Sequence, residues 1–539
     1  PAGAVFISDY FNSQFNSDLL LTMKKKFSDQ LSGTLILGQN FFQNNSSARY
    51  MQGQSLVIPG FFDMSNATSF NTSEGESEKR TSALFFDLQL AYANQLYLTV
   101  TGRDETTSTL AASNDNFFYP SVSLGWVFTE PLKLSTNKIF PYGKLRLSYA
   151  DVGKDAPAQG LQNYYHTAGI ADGFTSGITF PFNGGAGYQY GNPLFVLGNS
   201  GLTPENTTSI EAGLDLAFFQ NRLGVSFTYY NETSNNVILQ VPVPYSTGFG
   251  AQLANAGEIT NNGIELTVTA TPVKLKNGFQ WDLSVNYSHN TNEVVKLAPG
   301  VSELLIGGFQ NGAVEALPGK SFGQIYGTDY VHVNPNDPSS ALLIDDIPGD
   351  PGYGYPIVGS KSSALGNTLP NWIGGLTSTF SFKGISLGVV MSVREGGSIW
   401  DGTIGAMQYF GTSSTTDDRN SSALFAGDMG HLDANGNVVH NTTGNPNAPG
   451  AGAANSTHEA TNEYYWQNVG GSFIGATSTG VFDASYIRIS QLNLGYDLPA
   501  RICRKAHFTK ISLTVFANNP FLWTRYPGVD PETSLAGPA

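Results

Sequence analysis

Apolar and polar residues alternate along many short stretches of this chain, and pairs of stretches are joined by very short turns. In the run 83–92, alternate positions are apolar or aromatic: Leu84, Phe86, Leu88, Leu90 and Tyr92. Asn94 and Gln95 then lead into a second alternating run at 96–103. Because successive side chains of a strand point to opposite faces, each run predicts a strand with one apolar and one wet face. The pattern predicts a sheet that lies between hydrocarbon and water.

The same pattern continues along the chain as a series of hairpins. Asn-Gly, Lys-Gly and Asn-Arg dipeptides separate several alternating runs, and short polar turns of this kind indicate hairpins. About fourteen strands are predicted in all. The others are 18–27, 33–43, 118–128, 142–150, 208–219, 223–231, 262–272, 279–289, 373–382, 385–394, 484–497 and 509–518.

The connections at the opposite strand ends are much longer and rich in Gly, Asn, Ser, Thr and Pro. The predicted loops lie near 44–79, 104–117, 151–207, 235–261, 291–371 and 398–483. Compact soluble domains rarely contain such loops, whereas outer-membrane barrels combine short periplasmic turns with long extracellular loops. We therefore expect the long loops at the cell surface. The turns expected in the periplasm are 94–95, 221–222, 277–278 and 383–384.

Composition and charge narrow the possible classes of protein. Only 13% of the residues are charged, against about 25% in average soluble proteins. We find no apolar run near the length of a transmembrane helix. The net charge of −15 argues against nucleic acid as a partner.

A sheet in lipid must pair all its backbone groups internally, so the prediction is an all-β, transmembrane, antiparallel up-and-down β-barrel. A soluble sandwich or propeller with an aromatic core is the alternative.

Several segments resemble the SusC/RagA-like TonB-dependent outer-membrane transporters of Bacteroidetes-type bacteria. The segment FYPSVSLGW at 118–126 resembles one strand of that family, and KLRLSY at 144–149 resembles the next. Further similar segments follow in the family's order across most of the chain. They are PENTTSIEAGLDLAFFQNRLGVSFTYYNETS (204–234), STGFGAQLANAGEITNNGIE (246–265), PNWIGGLTSTFSFKGISLGVVMSVREGGSIW (370–400), DASYIRISQLNLGYDLP (483–499) and GVDPET (528–533).

This resemblance implies a complete protein with 22 strands and an N-terminal plug domain inside the barrel. It also implies a SusD-like surface lipoprotein as a lid and energy coupling through TonB–ExbB–ExbD. A dimer of such transporter–lipoprotein pairs and contact with the lipid bilayer and lipopolysaccharide are further expectations. Residues 1–539 are expected to form part of a single barrel domain, with the plug, the early strands and the last strand outside this sequence. The expected activity is active import of a large nutrient, either an oligosaccharide or a peptide.

The sequence offers no constellation for catalysis, a cofactor or a metal. The seven His residues are scattered, and the single Cys503 excludes an internal disulfide or a Cys-based metal cluster. The run from Asp433 to Asn437 starts like a calcium-binding EF-hand loop. It lacks the Gly at the sixth position and the carboxylate at the twelfth, so an Asn-Gly turn is expected. Two acidic sets are interpreted as a solvated loop and as polar lining of the barrel. They are Asp345, Asp346 and Asp350, and Asp87, Glu211, Asp215 and Glu265.

Aromatic residues on the long loops are the candidate ligand contacts. Rigid aromatic rings stack on sugars or peptide side chains at low entropic cost. The candidates are Tyr164, Tyr165, Trp400, Tyr409, Tyr464, Tyr465 and Trp466. The alternative is that these rings pack the loops together or against the lid. Two other functions stay open at this point, a structural or adhesive outer-membrane barrel and an ungated porin.

Overall fold

The computed structural model describes residues 3–158, 160–161, 169–170, 178–179, 192–309, 312–417, 421–441 and 453–533. The chain divides into two compact units. Unit 1 comprises residues 1–221, 225–262 and 295–301, and unit 2 comprises residues 222–224, 263–294 and 302–539. Within the described ranges, every helix is too short or too polar to cross a membrane.

Unit 1 is built on a sheet of long strands that follow one another along the chain. The strands up to the division of the chain are β1 (Ala4–Lys26), β2 (Leu31–Leu56), β3 (Ala67–Tyr92), β4 (Leu96–Thr107), β5 (Asn116–Trp126), β6 (Tyr142–Lys154), β7 (Gly169–Ile170), β8 (Ile178–Thr179), β9 (Asn192–Leu197), β10 (Glu205–Phe218), β11 (Leu223–Pro242) and β12 (Phe249–Lys274). The order in the sheet is β1-β2-β3-β4-β5-β6-β10-β11-β12, while β9 pairs in parallel with β12 and β7 pairs with β8. Residues 263–274 of β12 belong to unit 2.

Unit 2 continues the hairpin pattern and adds short elements in two long connections. Its elements are β13 (Gln280–Leu297), β14 (Leu304–Phe309), β15 (Gly312–Ala316), β16 (Gln324–Tyr330), β17 (Leu343–Asp345), β18 (Val358–Asn367), β19 (Trp372–Phe382), β20 (Ile385–Glu395), β21 (Ser398–Trp400), α1 (Gly402–Tyr409), β22 (Ser422–Leu424), β23 (Asp428–Leu432), β24 (Val438–His440), β25 (His458–Ala460), α2 (Glu463–Asn468), β26 (Val481–Asp483), β27 (Tyr486–Asp497), α3 (Ala500–Lys505) and β28 (Ser512–Thr524). The long strands are ordered β12-β13-β19-β20-β27-β28. Four 3₁₀ turns complete the described structure: Met64–Asn66, Tyr245–Thr247, Ser414–Thr416 and Thr477–Gly480.

The register of the unit 1 sheet aligns apolar residues in rows that cross the strands. One row contains Leu88, Val100, Val122, Tyr149 and Ile210. These side chains are not a buried core, because Val122 is 40% exposed and Ile210 is 56% exposed. An apolar face of this extent is unfavourable in water and is stable against hydrocarbon. The predicted alternation is therefore present, and its apolar face is the one suited to hydrocarbon.

The neighbouring row on the other face is polar. It contains Asp87, Thr101, Ser121, Ala150 and Ser209. The hydroxyl groups of Thr101 and Ser121 are 2.6 Å apart and share a hydrogen bond. One face of these strands thus suits hydrocarbon and the other suits water, as a membrane-spanning sheet requires. We call the sheet of long strands in each unit its wall.

Ion pairs and hydroxyl groups strengthen the polar face of unit 1. The Arg146 guanidinium donates to both carboxylate oxygens of Asp215, at 2.9 and 3.2 Å. Ser226 donates to the same carboxylate at 2.7 Å, and Arg146 also reaches Thr228 at 3.1 Å. Asp215 is thus part of a structural network, in agreement with its interpretation as polar lining.

Several strands extend well beyond the limits that the sequence pattern predicts. A loop was expected near 44–79, but β2 and β3 pair as far as Leu56 and Ala67, so only residues 57–66 connect them. Likewise, a loop was expected near 235–261, but only residues 243–248 separate β11 from β12. The expected loops at 104–117, 151–207, 291–371 and 398–483 also lose their first residues to strands or contain short elements. The reason is that a strand leaving hydrocarbon is wet on both faces and loses its apolar alternation while keeping its backbone pairing.

Apolar residues are fully buried mainly in the folded connections. In unit 1, Leu110, Ala156 and Leu202 pack together with Phe117 and Leu253. In unit 2, Leu343 and Ile344 of β17 are completely buried. The long connections therefore carry small hydrophobic cores of their own, to which a few residues near the strand ends contribute.

Charge substitutions on the two faces of β5 are expected to differ in cost. Val122→Arg places a cation on the exposed apolar face. Near the centre of the bilayer, this substitution should destabilise the refolded protein by about 2–4 kcal/mol. Ser123→Arg, one residue along on the polar face, is the matched control and should cost less than about 1 kcal/mol. Urea titration in phospholipid vesicles measures both. Equal costs at the two positions would contradict the assignment of the faces.

Candidate ligand-binding site in the long connections

The two long connections of unit 2 fold together. The first joins β13 to β19 and includes a small sheet in the order β14-β15-β16-β18. The second joins β20 to β27 and includes both α1 and α2. Strand β17 of the first connection pairs in parallel with β23 of the second, beginning at Leu343 and Asp428. Residues far apart in sequence are thus held together at one end of the long strands. We call these two paired connections, 298–371 and 396–485, the connection body.

Helix α2 places three of the predicted aromatic residues in succession. The Asn462 side-chain carbonyl accepts a hydrogen bond from the Tyr465 backbone N–H at 3.2 Å and caps the helix. Gln467 donates to the Glu463 carboxylate at 3.0 Å, one turn apart. Because residues in a helix are about 100° apart around its axis, Tyr464, Tyr465 and Trp466 point in three different directions.

Tyr465 is the centre of a group of rings that we call the aromatic cluster, formed by Tyr355, Phe425, Tyr464, Tyr465 and Trp466. The Tyr465 ring stacks on Tyr355 with centroids 5.7 Å apart and an interplanar angle of 26°. It also contacts Phe425 at 5.0 Å and Trp466 at 5.0 Å. Tyr464 reaches Tyr355 at 5.9 Å. These distances are those of favourable aromatic pairs.

Two local features fix the geometry of this cluster. The Tyr355 hydroxyl donates to the backbone carbonyl of Ala460 at 2.6 Å. Gly470 lies directly below the Tyr465 ring, because a Cβ atom there would be only 2.3 Å from Tyr465 Cζ. A glycine at position 470 is therefore what lets the backbone approach the ring.

The phenol groups of the cluster stay neutral at physiological pH. Burial, and to a smaller extent the nearby Glu459 carboxylate, raises the pKa of Tyr355. Burial also raises the pKa of Tyr465, and for Tyr464 burial together with Asp350 and Asp345 raises the pKa. Neutral phenols can donate as well as accept hydrogen bonds, which suits recognition of hydroxyl or amide groups.

Two other predicted residues, Tyr409 and Trp400, lie beside α1. Tyr409 ends this helix and packs edge-on against Phe473 at 5.4 Å. Its backbone carbonyl accepts a hydrogen bond from Gln467 of α2 at 3.4 Å. Trp400 lies on β21, 6.0 Å from Phe309. The structure therefore brings together Tyr464, Tyr465 and Trp466, places Tyr409 near their helix, and leaves Trp400 in a separate contact.

The start of α1 is tied to the chain that follows β28. The Asp401 carboxylate caps the helix by accepting from the Ile404 N–H at 2.9 Å. The same carboxylate accepts from the Tyr526 hydroxyl at 2.5 Å. Arg488 of β27 donates to Asp530 at 2.7 Å and also pairs with Glu532. The GVDPET segment thus folds back on the wall and helps to hold the connection body.

The acidic residues near the cluster form turns and a hydrogen bond to a histidine. Asp345 accepts from the Ile347 N–H at 2.9 Å, and Asp350 accepts from the Gly352 N–H at 2.8 Å. Asp346 lies 2.8 Å from the His431 ring nitrogen. Asp433 accepts from the N–H groups of Asn435 and Asn437, each at 2.8 Å, so the expected Asn-Gly turn is present. Over the described ranges, no group of three or more His, Cys, Asp or Glu side chains is arranged to hold a metal ion.

Sequence reasoning missed Tyr355 and Phe425, which complete the aromatic cluster. Tyr355 lies in the stretch GYGYP, where alternating Gly and Tyr could have indicated close aromatic packing. Phe425 carries no comparable local signal, since it is the pairing of β22 with β25, far apart within the second connection, that places it beside α2. The predicted residues Tyr164 and Tyr165 lie outside the described residues.

Loss of the central ring is expected to loosen the connection body. Tyr465→Ala removes the shared partner of Tyr355, Phe425 and Trp466, and should speed amide exchange in β17 and β23 about 30-fold, equivalent to about 2 kcal/mol. Tyr465→Phe keeps the ring and should change exchange little. Phe410→Ala, at a side chain that is 70% exposed, is a second control. Hydrogen exchange read by mass spectrometry distinguishes these outcomes, and unchanged exchange in Tyr465→Ala would contradict the role of the cluster.

Comparison with known proteins agrees with this architecture. Residues 3–519 match the family model described as TonB dependent receptor-like, beta-barrel. The TonB-dependent receptor P3 of Formosa agariphila is 24% identical over 529 residues, which cover 94% of this chain and 46% of that protein. The TonB-dependent receptor SusC of Bacteroides thetaiotaomicron is 25% identical over 464 residues, which cover 83% of this chain and 41% of that protein.

A solved structure shares the fold at low sequence identity. The RagAB peptide importer in its closed-closed state gives a TM-score of 0.70 at 17% identity, covering 98% of this chain and 54% of that one. The chain spans about half the length of the relatives it matches. The SusC/RagA resemblance predicted from the sequence is confirmed, and the relatives are receptors and transporters, not enzymes. This chain therefore belongs to the TonB-dependent receptor-like β-barrel family of the outer membrane.

Proposed function

We propose that this chain forms part of the wall and the outer binding surface of an active outer-membrane importer for a large nutrient, an oligosaccharide or a peptide. The observation that carries the proposal is the folded body at one end of the long strands of unit 2, with the aromatic cluster inside it. A wall with one apolar and one polar face gives a route through lipid. A rigid body with aromatic rings at one end of that wall gives a place to capture a solute before passage.

In this proposal the long connections face the cell surface and the short turns face the periplasm. Support comes from the alternation itself, since outer-membrane barrels keep their short turns on the periplasmic side. The two long connections of unit 2 also contain the small sheets and helices that a surface binding site needs. Short turns such as Lys383–Gly384 have no room for such a site.

Ligand contact is assigned to aromatic residues on these connections. Tyr464 and Trp466 are the best candidates, because they lie at the edge of the cluster and are only partly buried. Tyr465 serves mainly to hold the other rings in place. Tyr409 and Trp400 extend the candidate surface along α1 and β21, and Tyr164 and Tyr165 remain candidates from the sequence. Stacking of such rings suits both sugar faces and peptide side chains, so the proposal keeps both substrate classes.

The partners follow from the family. We assign a SusD-like lipoprotein as the lid over the long connections, and TonB–ExbB–ExbD as the energy source acting on a plug domain. The relatives are about twice as long as this chain. This difference supports a complete protein in which a plug and further strands accompany residues 1–539 within one barrel domain. The peptide-importer description of the RagAB structure supports a peptide substrate, and stacking of aromatic rings on sugar faces keeps the saccharide alternative open. Contact with lipopolysaccharide and pairing of two transporter–lipoprotein units are parts of the same proposal.

Uptake into proteoliposomes tests the proposal. The complete protein is reconstituted with its lipoprotein partner, and uptake of labelled oligosaccharide and peptide pools is compared with and without TonB energisation. Active import predicts accumulation that requires energisation. Uptake that is equal without energy would contradict it and indicate an ungated porin, whereas ligand binding without any uptake would indicate an adhesive or structural barrel.

Aromatic variants then test the site separately from the transport mechanism. Trp466→Ala and Tyr464→Ala should raise the ligand concentration for half-maximal uptake about threefold to tenfold, through loss of one stacking contact each. Phe62→Ala, at a side chain that is 74% exposed in the connection 57–66 of unit 1, is the control and should leave this concentration unchanged. If the ligand concentration for half-maximal uptake is the same as in the unmodified protein, these residues are not part of the binding site. The import proposal is unaffected by that result.

A further inference from the structure

The short connections of both units are strongly basic, in contrast to the rest of the chain. The segments 24–30, 93–95, 127–141, 219–222, 274–279, 383–384 and 497–511 contain thirteen of the 27 Lys and Arg residues and only three of the 42 Asp and Glu residues. Chance placement in an acidic chain does not concentrate cations in this way. The short-connection end of each unit therefore carries a positive charge of its own.

The geometry of unit 2 groups these cations. Strands β13, β19, β20, β27 and β28 are successive antiparallel neighbours, so the connections β19–β20 and β27–β28 lie at the same end. The turn between β12 and β13 lies at that end too. The cations there are Lys274, Lys276, Lys383, Arg501, Arg504, Lys505 and Lys510. In unit 1 the same reasoning places Lys24, Lys25, Lys26, Lys133 and Lys138 at the short-connection end.

Most of the unit 2 cations have no acidic partner. Lys510 pairs with Asp497 at 3.0 Å, and it is the single member of the seven to form an ion pair among the described residues. Arg501, Arg504 and Lys505 lie on α3 and are exposed. Unneutralised cations side by side repel one another and are stabilised by an external anion.

Exposed apolar side chains lie between these cations. Next to the three basic residues of α3, Ile502 is 50% exposed and Phe508 is 59% exposed. Beside Lys383, Phe382 is 38% exposed and holds the lysine ammonium 5.1 Å from its ring centre. In unit 1, Phe27 follows three lysines and is 55% exposed. Cations mixed with exposed apolar and aromatic groups at the edge of a membrane-spanning sheet are typical of the lipid headgroup region.

The opposite end of unit 2 has the reverse charge. Its two long connections, 298–371 and 396–485, contain fifteen Asp and Glu residues against three Lys and Arg residues. There Arg525 pairs with Asp483 at 3.3 Å. The charge therefore separates along the direction of the strands, and only the short-connection end is suited to an anionic surface.

We propose that the basic short-connection end binds the anionic phosphodiester headgroups of membrane lipids, with α3 and its flanking residues as the main contact in unit 2. The phosphates interact with Arg501, Arg504 and Lys505 while Ile502 and Phe508 enter the headgroup boundary. Cys503, which is 1% exposed, lies on the buried side of the short helix, with its sulfur 3.5 Å from the Leu498 carbonyl oxygen. This binding does not depend on the import proposal, because it requires only that the sheet spans a bilayer.

Native mass spectrometry of the complete protein in detergent micelles tests the assignment. Dioleoylphosphatidylglycerol and dioleoylphosphatidylcholine are titrated as probes, and the protein should bind the anionic lipid more tightly. Each cation near an anionic surface contributes about fivefold to affinity. The triple variant Arg501→Gln, Arg504→Gln, Lys505→Gln should therefore bind phosphatidylglycerol at least about tenfold more weakly. A matched variant at the opposite end, Lys320→Gln, Lys361→Gln, Arg525→Gln, should stay within about twofold of the unmodified protein.

One further readout, the salt dependence of binding, keeps the test decisive. If the α3 variant does not fold, the salt dependence of the unmodified protein replaces it, since headgroup binding through exposed cations should weaken steeply as ionic strength rises. Equal affinity for the two lipids, a preference unaffected by salt, or full phosphatidylglycerol affinity in the α3 variant would each overturn the proposal. The transport assay is not needed for any of these outcomes, so its failure and the failure of lipid binding are separate results.

Discussion

Backbone hydrogen bonding in hydrocarbon is the constraint on which the rest of this structure depends. A strand in lipid has no water to bond, so each N–H and C=O must find a partner on a neighbouring strand. The long antiparallel pairings from β1 to β6 provide such partners and leave the side chains to divide by face. Rows such as Leu88, Val100 and Val122 lie on the apolar face, whereas Arg146 and Asp215 bond to each other on the polar face. The same hairpin order puts the short turns at one end of the strands and the long connections at the other.

The connections take over the tasks that the wall cannot perform. On the long strands, apolar side chains such as Val122 and Ile210 stay exposed, so the dense packing of unit 2 occurs where Leu343 and Ile344 are enclosed by paired connections. Once these connections are rigid, they can present Tyr464 and Trp466 in fixed positions. The short turns have no core to build, and their exposed cations are the groups that we propose to bind lipid headgroups. The two proposals, capture of solute and binding of lipid, thus concern opposite strand ends of unit 2.

The sequence predicts the parts of this architecture that depend on local alternation. Hairpins around Asn94 and Lys383 are present because a period of two and a polar turn are both local signals. The outer parts of β2, β3, β11 and β12 were expected as loops, because strands outside the hydrocarbon keep their pairing without an apolar face. At the site, α2 was recognised only as an aromatic stretch. Its contact with Tyr355 requires pairing between two connections, and its contact with Phe425 requires pairing of β22 with β25, two short strands far apart in one connection. No local pattern encodes either pairing.

The most direct test of the central claim is the accessibility of successive positions on β5 in a bilayer. Single cysteines at residues 120 to 124, introduced with Cys503→Ser, are spin-labelled in the reconstituted protein. Labels at the even positions should collide most often with molecular oxygen, which concentrates in hydrocarbon, and labels at 121 and 123 with a water-soluble nickel complex. Accessibility without a period of two, or with the two collision partners exchanged, would contradict a wall whose apolar face meets lipid.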